Sequence, residues 1–305
     1  MTSLVRVTDL GVRYFHKQVV AGCSFELFAG EIFGLLGSNG SGKSSILRAL
    51  CGLNHDYSGS IRFGNVEARY ADLSRIVGFV PQDYSFYRDF TVEENIRFFA
   101  KLSGNVPRVH LLIEELGLKK YAHTRAGTLS GGFQRLLNIS LALINSPKVV
   151  LLDEPTVGLD VGMREGIWAL LERLREEGCA IVLTTHYLEE AEYLCDRIAL
   201  VDAGTVHLSG TPKELINQYG GNTLVAMDLS ADASGAVTAV KAIPAVLDVK
   251  CASNQLSFEC RNGEVVDALS RLNQVLSAKK LKVIDVNVRE PSLNQVFLNV
   301  IGHGL

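Results

Sequence analysis

An α/β domain followed by a smaller α+β domain is the architecture that these 305 residues predict. Three observations carry it. Short apolar runs such as Ile32 to Leu36 and Val149 to Leu152, suited to burial on both faces, alternate with stretches of helical periodicity. One run empties into a glycine-rich loop that opens a helix, the strand–loop–helix entrance to an α/β domain. After Gly220-Gly221-Asn222 the pattern shifts to β-α-β-β-α-β. At about 150 residues per domain, the length agrees with two domains.

Taken in order, Val5 to Arg13 and Ser24 to Phe28 read as strands, the first with rough apolar–polar alternation. Ile32 to Leu36 is the strand before the loop Gly37 to Gly42. From Lys43 to Cys51, Ile46, Leu47 and Leu50 lie at helical spacing. Arg75 to Val80 is another strand, stopped by Pro81. From Thr91 to Leu102 the pattern is helical, and Thr91 with Glu94 forms a capping-box signature. Pro107 to Leu116 and Gly131 to Ile144 also read as helices, so Asp83 to Ser146 forms a mostly helical insertion. Val149 to Leu152 follows as a buried parallel strand. Arg164 to Glu177 is a helix, Ala180 to Thr184 a strand and Leu188 to Cys195 a helix. Ile198 to Val201 and Thr205 to Ser209 make a hairpin around Asp202-Ala203-Gly204.

The first domain is expected over 1–220, with a helical subdomain at about 83–146, and the second over 223–305. In the second, strands are expected at Thr223 to Leu229, Val246 to Ala252, Leu256 to Cys260 and Leu281 to Arg289. Helices are expected at Ala233 to Ala242, Glu264 to Ala278 and Pro291 to Ile301. This reads as a two-layer unit of ferredoxin-like kind.

Composition narrows the function. Hydrophobic residues are 47% and charged residues 21%, which sets aside disorder and rods. Net charge is −3, from 30 basic and 33 acidic residues, so nucleic acid is not an expected partner. The six cysteines form no C-x-x-C pair and read as buried free thiols of a reducing compartment. Met1 to Leu10 lacks the apolar stretch of a signal peptide. No run reaches the ~18 apolar residues of a membrane helix, so the chain is expected to be soluble and to meet membranes through a partner.

Gly37-Ser38-Asn39-Gly40-Ser41-Gly42-Lys43-Ser44 fits G-x-x-x-x-G-K-[ST]. Its glycines let backbone N–H groups turn inward onto a phosphate, and the following helix adds its positive end. Lys43 is placed to reach the β- and γ-phosphates, and the Ser44 hydroxyl to ligate Mg²⁺. Asp153, ending the apolar run, is in the right context to hold Mg²⁺ through water. Glu154 directly after it can orient the water that attacks the γ-phosphate.

Between Lys43 and Asp153 lies Leu129-Ser130-Gly131-Gly132-Phe133-Gln134-Arg135, which resembles the signature motif of ABC ATPases. Gln82 after Val80-Pro81, Gly158-Leu159-Asp160 and His186 match the family's Q-loop, D-loop and switch histidine, in the family's order. The resemblance covers Leu4 to Gln218. It implies a P-loop NTPase fold of ABC type, ATP and Mg²⁺ as cofactors, and a head-to-tail homodimer of ATPase domains enclosing two ATP molecules. Ser45, beside Ser44, joins the phosphate-binding set. Ser130 and the N–H groups of Gly131 and Gly132 would bind the γ-phosphate across the dimer. His186 would hold that phosphate and the water in register, Gln82 would contact Mg²⁺, and Asp160 would support the opposing site. Tyr14 is a candidate to stack on adenine. The fifth signature residue is usually glutamine and here is Phe133, with Gln134 following.

Glu31-Ile32-Phe33-Gly34-Leu35-Leu36-Gly37, Thr91 to Phe99 and Glu290 to Leu298 resemble the type-2 ABC exporter branch. That implies an ATP-hydrolysing subunit on the cytoplasmic face of the membrane, driving export through separate membrane-spanning permease subunits. The alternative is a soluble ABC ATPase acting on ribosomes or DNA. Tyr84, Phe86, Tyr87 and Phe90 are expected to face the membrane subunit, and Trp168 to be core. The other histidines, from His16 to His303, show no ligand spacing.

Overall fold

A computed structural model describes residues 3–68 and 73–302. His303 lies outside them. The chain divides into two compact units, Met1–Pro212 and Lys213–Gly304. Among the described residues no helix is long and apolar enough to cross a membrane.

The first unit begins with β1 (Ser3–Tyr14), β2 (Lys17–Phe28) and β3 (Ile32–Leu36), then α1 (Lys43–Leu50), β4 (Tyr57–Phe63), β5 (Val66–Glu67) and β6 (Val77–Val80). The helical insertion follows as α2 (Val92–Ser103), α3 (Arg108–Glu115) and α4 (Gly131–Leu143). The unit continues with β7 (Val149–Asp153), α5 (Val161–Glu176), β8 (Ala180–Thr185), α6 (Leu188–Leu194), β9 (Arg197–Asp202) and β10 (Thr205–Gly210).

These strands form two sheets. The order β10-β9-β3-β8-β7-β6 is parallel throughout except for the edge strand β10, and β2-β1-β4-β5 is antiparallel. Every residue of β3, β7 and β8 is buried, the burial that parallel strands covered on both faces require. Ile46 and Leu47 of α1 share one core with Leu10, Leu27 and Ile61 of the antiparallel sheet and Phe33, Leu151 and Val182 of the parallel one. Because β6, β7, β8 and β3 run parallel, the segments leaving their C-terminal ends gather along one edge, where open α/β sheets bind ligands.

Thr91 caps α2 as its sequence indicates. Its hydroxyl accepts from Glu94 N–H, and the Glu94 carboxylate accepts from Thr91 N–H. The hairpin β4–β5 was not expected. Gly59 sits there at φ 80° with a serine on either side, which removes the apolar alternation that marks a strand. A Cβ on Gly59 would collide with the carbonyl oxygens of Thr8 and Asp9. Helix α5 starts three residues before Arg164 because Asp160 caps it, accepting from Met163 N–H at 2.9 Å. All six cysteines are free, and burial pushes the Cys23 and Cys179 thiols up to about 12.

The second unit contains α7 (Pro212–Tyr219), β11 (Thr223–Leu229), α8 (Val237–Lys241), β12 (Val246–Ala252), β13 (Gln255–Cys260), α9 (Val265–Ala278), β14 (Val283–Arg289) and α10 (Leu293–Ile301). Helix α7 precedes the glycine pair at which the sequence suggests a boundary. The order β12-β13-β11-β14, antiparallel throughout, is that of a split β-α-β fold. Val225, Phe258, Val240, Leu272 and Leu276 form its core. Helix α8 is shorter than the sequence suggests, since Ser234–Ala236 is a 3-10 turn whose start is bonded to the Asp232 carboxylate.

Thr91→Ala removes the cap acceptor of α2 and is expected to destabilise the first unit by about 1 kcal/mol, read from its urea unfolding transition.

Candidate active site

The loop Gly37 to Gly42 is shaped by what presses on it. A Cβ on Gly37 would collide with the carbonyl oxygen of Val201, and one on Gly42, at φ 107°, would meet that of Val19 at 2.6 Å. No side chain caps the start of α1 at Gly42, and its first turn holds no acid. Its leading N–H groups are therefore available to an anion. Ser45 N–H turns back onto Gly42 O at 3.0 Å. The Ser41 hydroxyl is buried without a partner. Lys43 lies folded across the loop, its Nζ donating to the carbonyls of Gly37 at 2.7 Å and Ser38 at 3.0 Å. Burial holds the Lys43 pKa below its ordinary value, and the carboxylates of Glu154 and Asp153 offset part of that effect. A buried cation whose hydrogen bonds go to neutral carbonyls, with an unpartnered hydroxyl beside it, is a cradle fit for phosphate.

The neighbouring strand ends supply the acids. Register sets Asp153 opposite Thr184. The Thr184 hydroxyl donates to Asp153 Oδ1 at 2.7 Å and accepts the Glu154 N–H at 2.9 Å. The Ser44 hydroxyl donates to the same Oδ1 at 3.1 Å. This hydroxyl–carboxylate pair has the hard oxygen donors that Mg²⁺ takes. Glu154 is buried in a left-handed conformation, φ 48°, a strained setting typical of functional positions. Its Oε1 lies 3.2 Å from His186 Nδ1, and its Oε2 accepts from Gln82 Nε2 at 3.4 Å. The chain ends of β3, β6, β7 and β8 thus bring Lys43, Ser44, Gln82, Asp153, Glu154 and His186 to one edge.

Tyr14, Ser130, Gly131 and Asp160 are exposed, and none hydrogen-bonds into this cluster. Tyr14 ends β1 at the hairpin tip. Ser130 is the N-cap residue of α4 and makes no cap bond with its side chain. Gly132 packs against Met163, whose flexible side chain, 2.5 Å from where a Cβ would stand, would have to shift to admit one. Asp160 has the structural task of capping α5. At the unusual signature position, the Phe133 ring packs on Tyr121 with centroids 4.1 Å apart. Gln134 secures the loop instead, donating to Leu129 O at 3.1 Å and Ala126 O at 3.2 Å.

Three supporting residues were not evident from the sequence. Thr184 reads there as an ordinary β-branched strand residue. Arg135 of α4 is buried and donates to the carbonyls of Pro81 at 2.9 Å and Gln82 at 3.1 Å, fastening the signature helix to the segment that carries Gln82. Glu190 of α6 is buried, and its Oε1 accepts from Thr156 at 2.7 Å and from the Trp168 indole at 3.0 Å. Trp168 is therefore a half-buried hydrogen-bond donor, not the plain core residue expected. Of the aromatic group after Gln82, Phe86 is buried, whereas Tyr84, Tyr87 and Phe90 are exposed.

Residues 20–157 match the ABC transporter family, and residues 210–301 match the C-terminal domain of DrrA1-3-like ATP-binding proteins. The linearmycin resistance ATP-binding protein LnrL of Bacillus subtilis (strain 168) is 32% identical over 309 residues, covering 99% of each chain. The chain belongs to the ABC transporter family of ATP-binding proteins. The Nod factor export ATP-binding protein I of Rhizobium sp. (strain N33) is 36% identical over 98% of each chain. Among solved structures, an ATP-binding subunit of an ABC transporter superposes with a TM-score of 0.64 at 26% identity, covering 72% of this chain and 94% of its own. CbiO1 of Clostridium perfringens, part of the ABC transporter complex cbiONQ, gives a TM-score of 0.65 at 27% identity, covering 72% and 92%. This ABC protein thus has an ATP-binding, ATP-hydrolysing domain of the kind that works with separate permease subunits.

Two outcomes are expected from this geometry. Because the folded pKa of Lys43 lies below its unfolded value, the unfolded chain binds more protons between the two, and stability rises with pH through that window. Lys43→Met should remove this rise and raise the melting temperature of nucleotide-free protein at neutral pH. Thr156→Val and Trp168→Phe each remove a donor to Glu190 and should each cost about 2 kcal/mol. A double-mutant cycle by chemical denaturation should show them to be non-additive.

Proposed function

We propose that two copies of this chain bind two ATP molecules between them, head to tail, and hydrolyse them to drive export through separate membrane-spanning permease subunits. The observation that carries the reading is the convergence of Gln82 and His186 on Glu154, beside an Asp153 already bonded to Ser44. ATP would enter the loop Gly37 to Ser45, with Ser38 and Asn39 lining its outer turn and Gly40 leaving open space. Lys43 would exchange its two carbonyls for phosphate oxygens. Ser44, Asp153 and Gln82 would hold Mg²⁺, which when bound supplies positive charge against the phosphates. Glu154 would orient the attacking water, and His186 would keep Glu154 and the γ-phosphate in register.

Ser130, Gly131 and Gly132, at a helix start whose side-chain cap is unused, would receive the γ-phosphate held by the other copy. Asp160 would brace the opposing site, and Tyr14 would stack on adenine. Closure on ATP and reopening after hydrolysis would move the permease, with the exposed Tyr84, Tyr87 and Phe90 as its contact on the cytoplasmic face. The reading of export is supported by relatives named for Nod factor export and linearmycin resistance. The DrrA-like second domain points the same way.

Glu154→Gln should bind ATP, form a dimer with it and hydrolyse it at a small fraction of the wild-type rate. Recovered from gently solubilised membranes, it should bring down a polytopic membrane protein. Wild-type hydrolysis by this variant, or recovery with ribosomes or DNA and no membrane protein, would overturn the reading.

A further inference from the structure

Every residue of β14 is exposed, including Val283 at 39%, Ile284 at 68%, Val286 at 41% and Val288 at 40%. Among the described strands it pairs only with β11, and its outer edge presents unpaired backbone. Proteins guard such edges with charged side chains, lysine above all, with proline or with a bulge; β14 carries two charges of opposite sign, Asp285 and Arg289. From Val283 to Arg289 there is no lysine or proline. The opposite edge strand, β12, differs in keeping Val246 and Val249 buried. One guard exists at the start of β14, where the register with β11 slips between Val283 and Asp285 and leaves Ile284 as the extra residue of a bulge. Pro291 stops the other end. What remains is a regular five-residue segment, Asp285 to Arg289, paired one for one with Asp228 to Leu224.

We propose that this segment pairs antiparallel with the same segment of a second copy of the chain, joining two four-stranded sheets into one of eight without any nucleotide. The charge pattern specifies the register. A twofold axis at the centre of the segment sets Asn287 against Asn287. Asp285 of each copy then faces Arg289 of the other, on the sheet face that carries Asp228 and Leu224. Val286 faces Val288 of the other copy on the opposite face, beside the core residues Met227 and Val225. Sliding the axis to Val286 sets Asp285 against Asn287 and Arg289 against Val283, losing both ion pairs and running into the bulge. Sliding it to Asp285 sets like charges opposite each other, which is unfavourable. This contact lies in the second unit and is separate from the ATP-dependent closure proposed above.

Sedimentation velocity on the full chain without nucleotide tests the pairing. Wild type is expected to form dimers. Asp285→Arg and Arg289→Asp each set two like-charge pairs across the axis and should raise the dimer dissociation constant about tenfold. The double variant D285R/R289D restores opposite charges and should return to wild-type association. A nucleotide-free wild type that stays monomeric, single variants that dimerise as wild type does, or a double variant that stays monomeric while melting normally would each overturn the proposal. Glu154→Gln with ATP, measured alongside, reports on the nucleotide-driven dimer independently.

Discussion

One hydroxyl organises the acidic side of the site. Thr184 Oγ donates to Asp153 and accepts from Glu154 N–H, so a single side chain on β8 fixes two consecutive acids at the end of β7. Without an acceptor there, the buried N–H of Glu154 would lack a partner, and its left-handed backbone would have one reason fewer to persist. The result turns two neighbouring carboxylates in different directions. Asp153 turns toward Ser44 and the phosphate loop, and Glu154 turns toward His186 and Gln82.

That separation depends on strand order. Four parallel strands end along one edge, so residues more than a hundred positions apart in the chain meet without long connecting side chains. Arg135 and Asn138 of α4 then extend the arrangement into the helical insertion. Arg135 donates to Pro81 and Gln82, and Asn138 accepts from Ser85 at 2.7 Å. In the proposed cycle a displacement of α4 would be passed to the segment that bears Gln82, through bonds that are costly to leave unmade in a buried setting.

Much of this was legible in the sequence because it obeys local rules. The phosphate loop, the Thr91 capping box and the buried strands β3 and β7 are each marked by residues adjacent in the chain, and their spacing announces them. The hairpin β4–β5 escaped notice because Gly59 and its serines serve a close backbone approach instead of an apolar stripe. Thr184, Arg135 and Glu190 escaped for a different reason. Each acts through partners more than twenty residues away, and nothing in their immediate surroundings distinguishes them from strand or helix filler. Gln134 shows the intermediate case, since its position beside Phe133 was evident but its bonds to the preceding loop were not.

The folded-back Lys43 also has a bearing on traffic through the site. Its ammonium group is held by two carbonyls of the loop it serves, so the loop is clasped by its own side chain. In the proposed cycle, incoming phosphate would compete with the protein's own backbone for this cation, which would temper how tightly a nucleotide is retained. The same clasp would re-form behind a departing product, easing its exit and returning the loop to a shape ready for the next molecule.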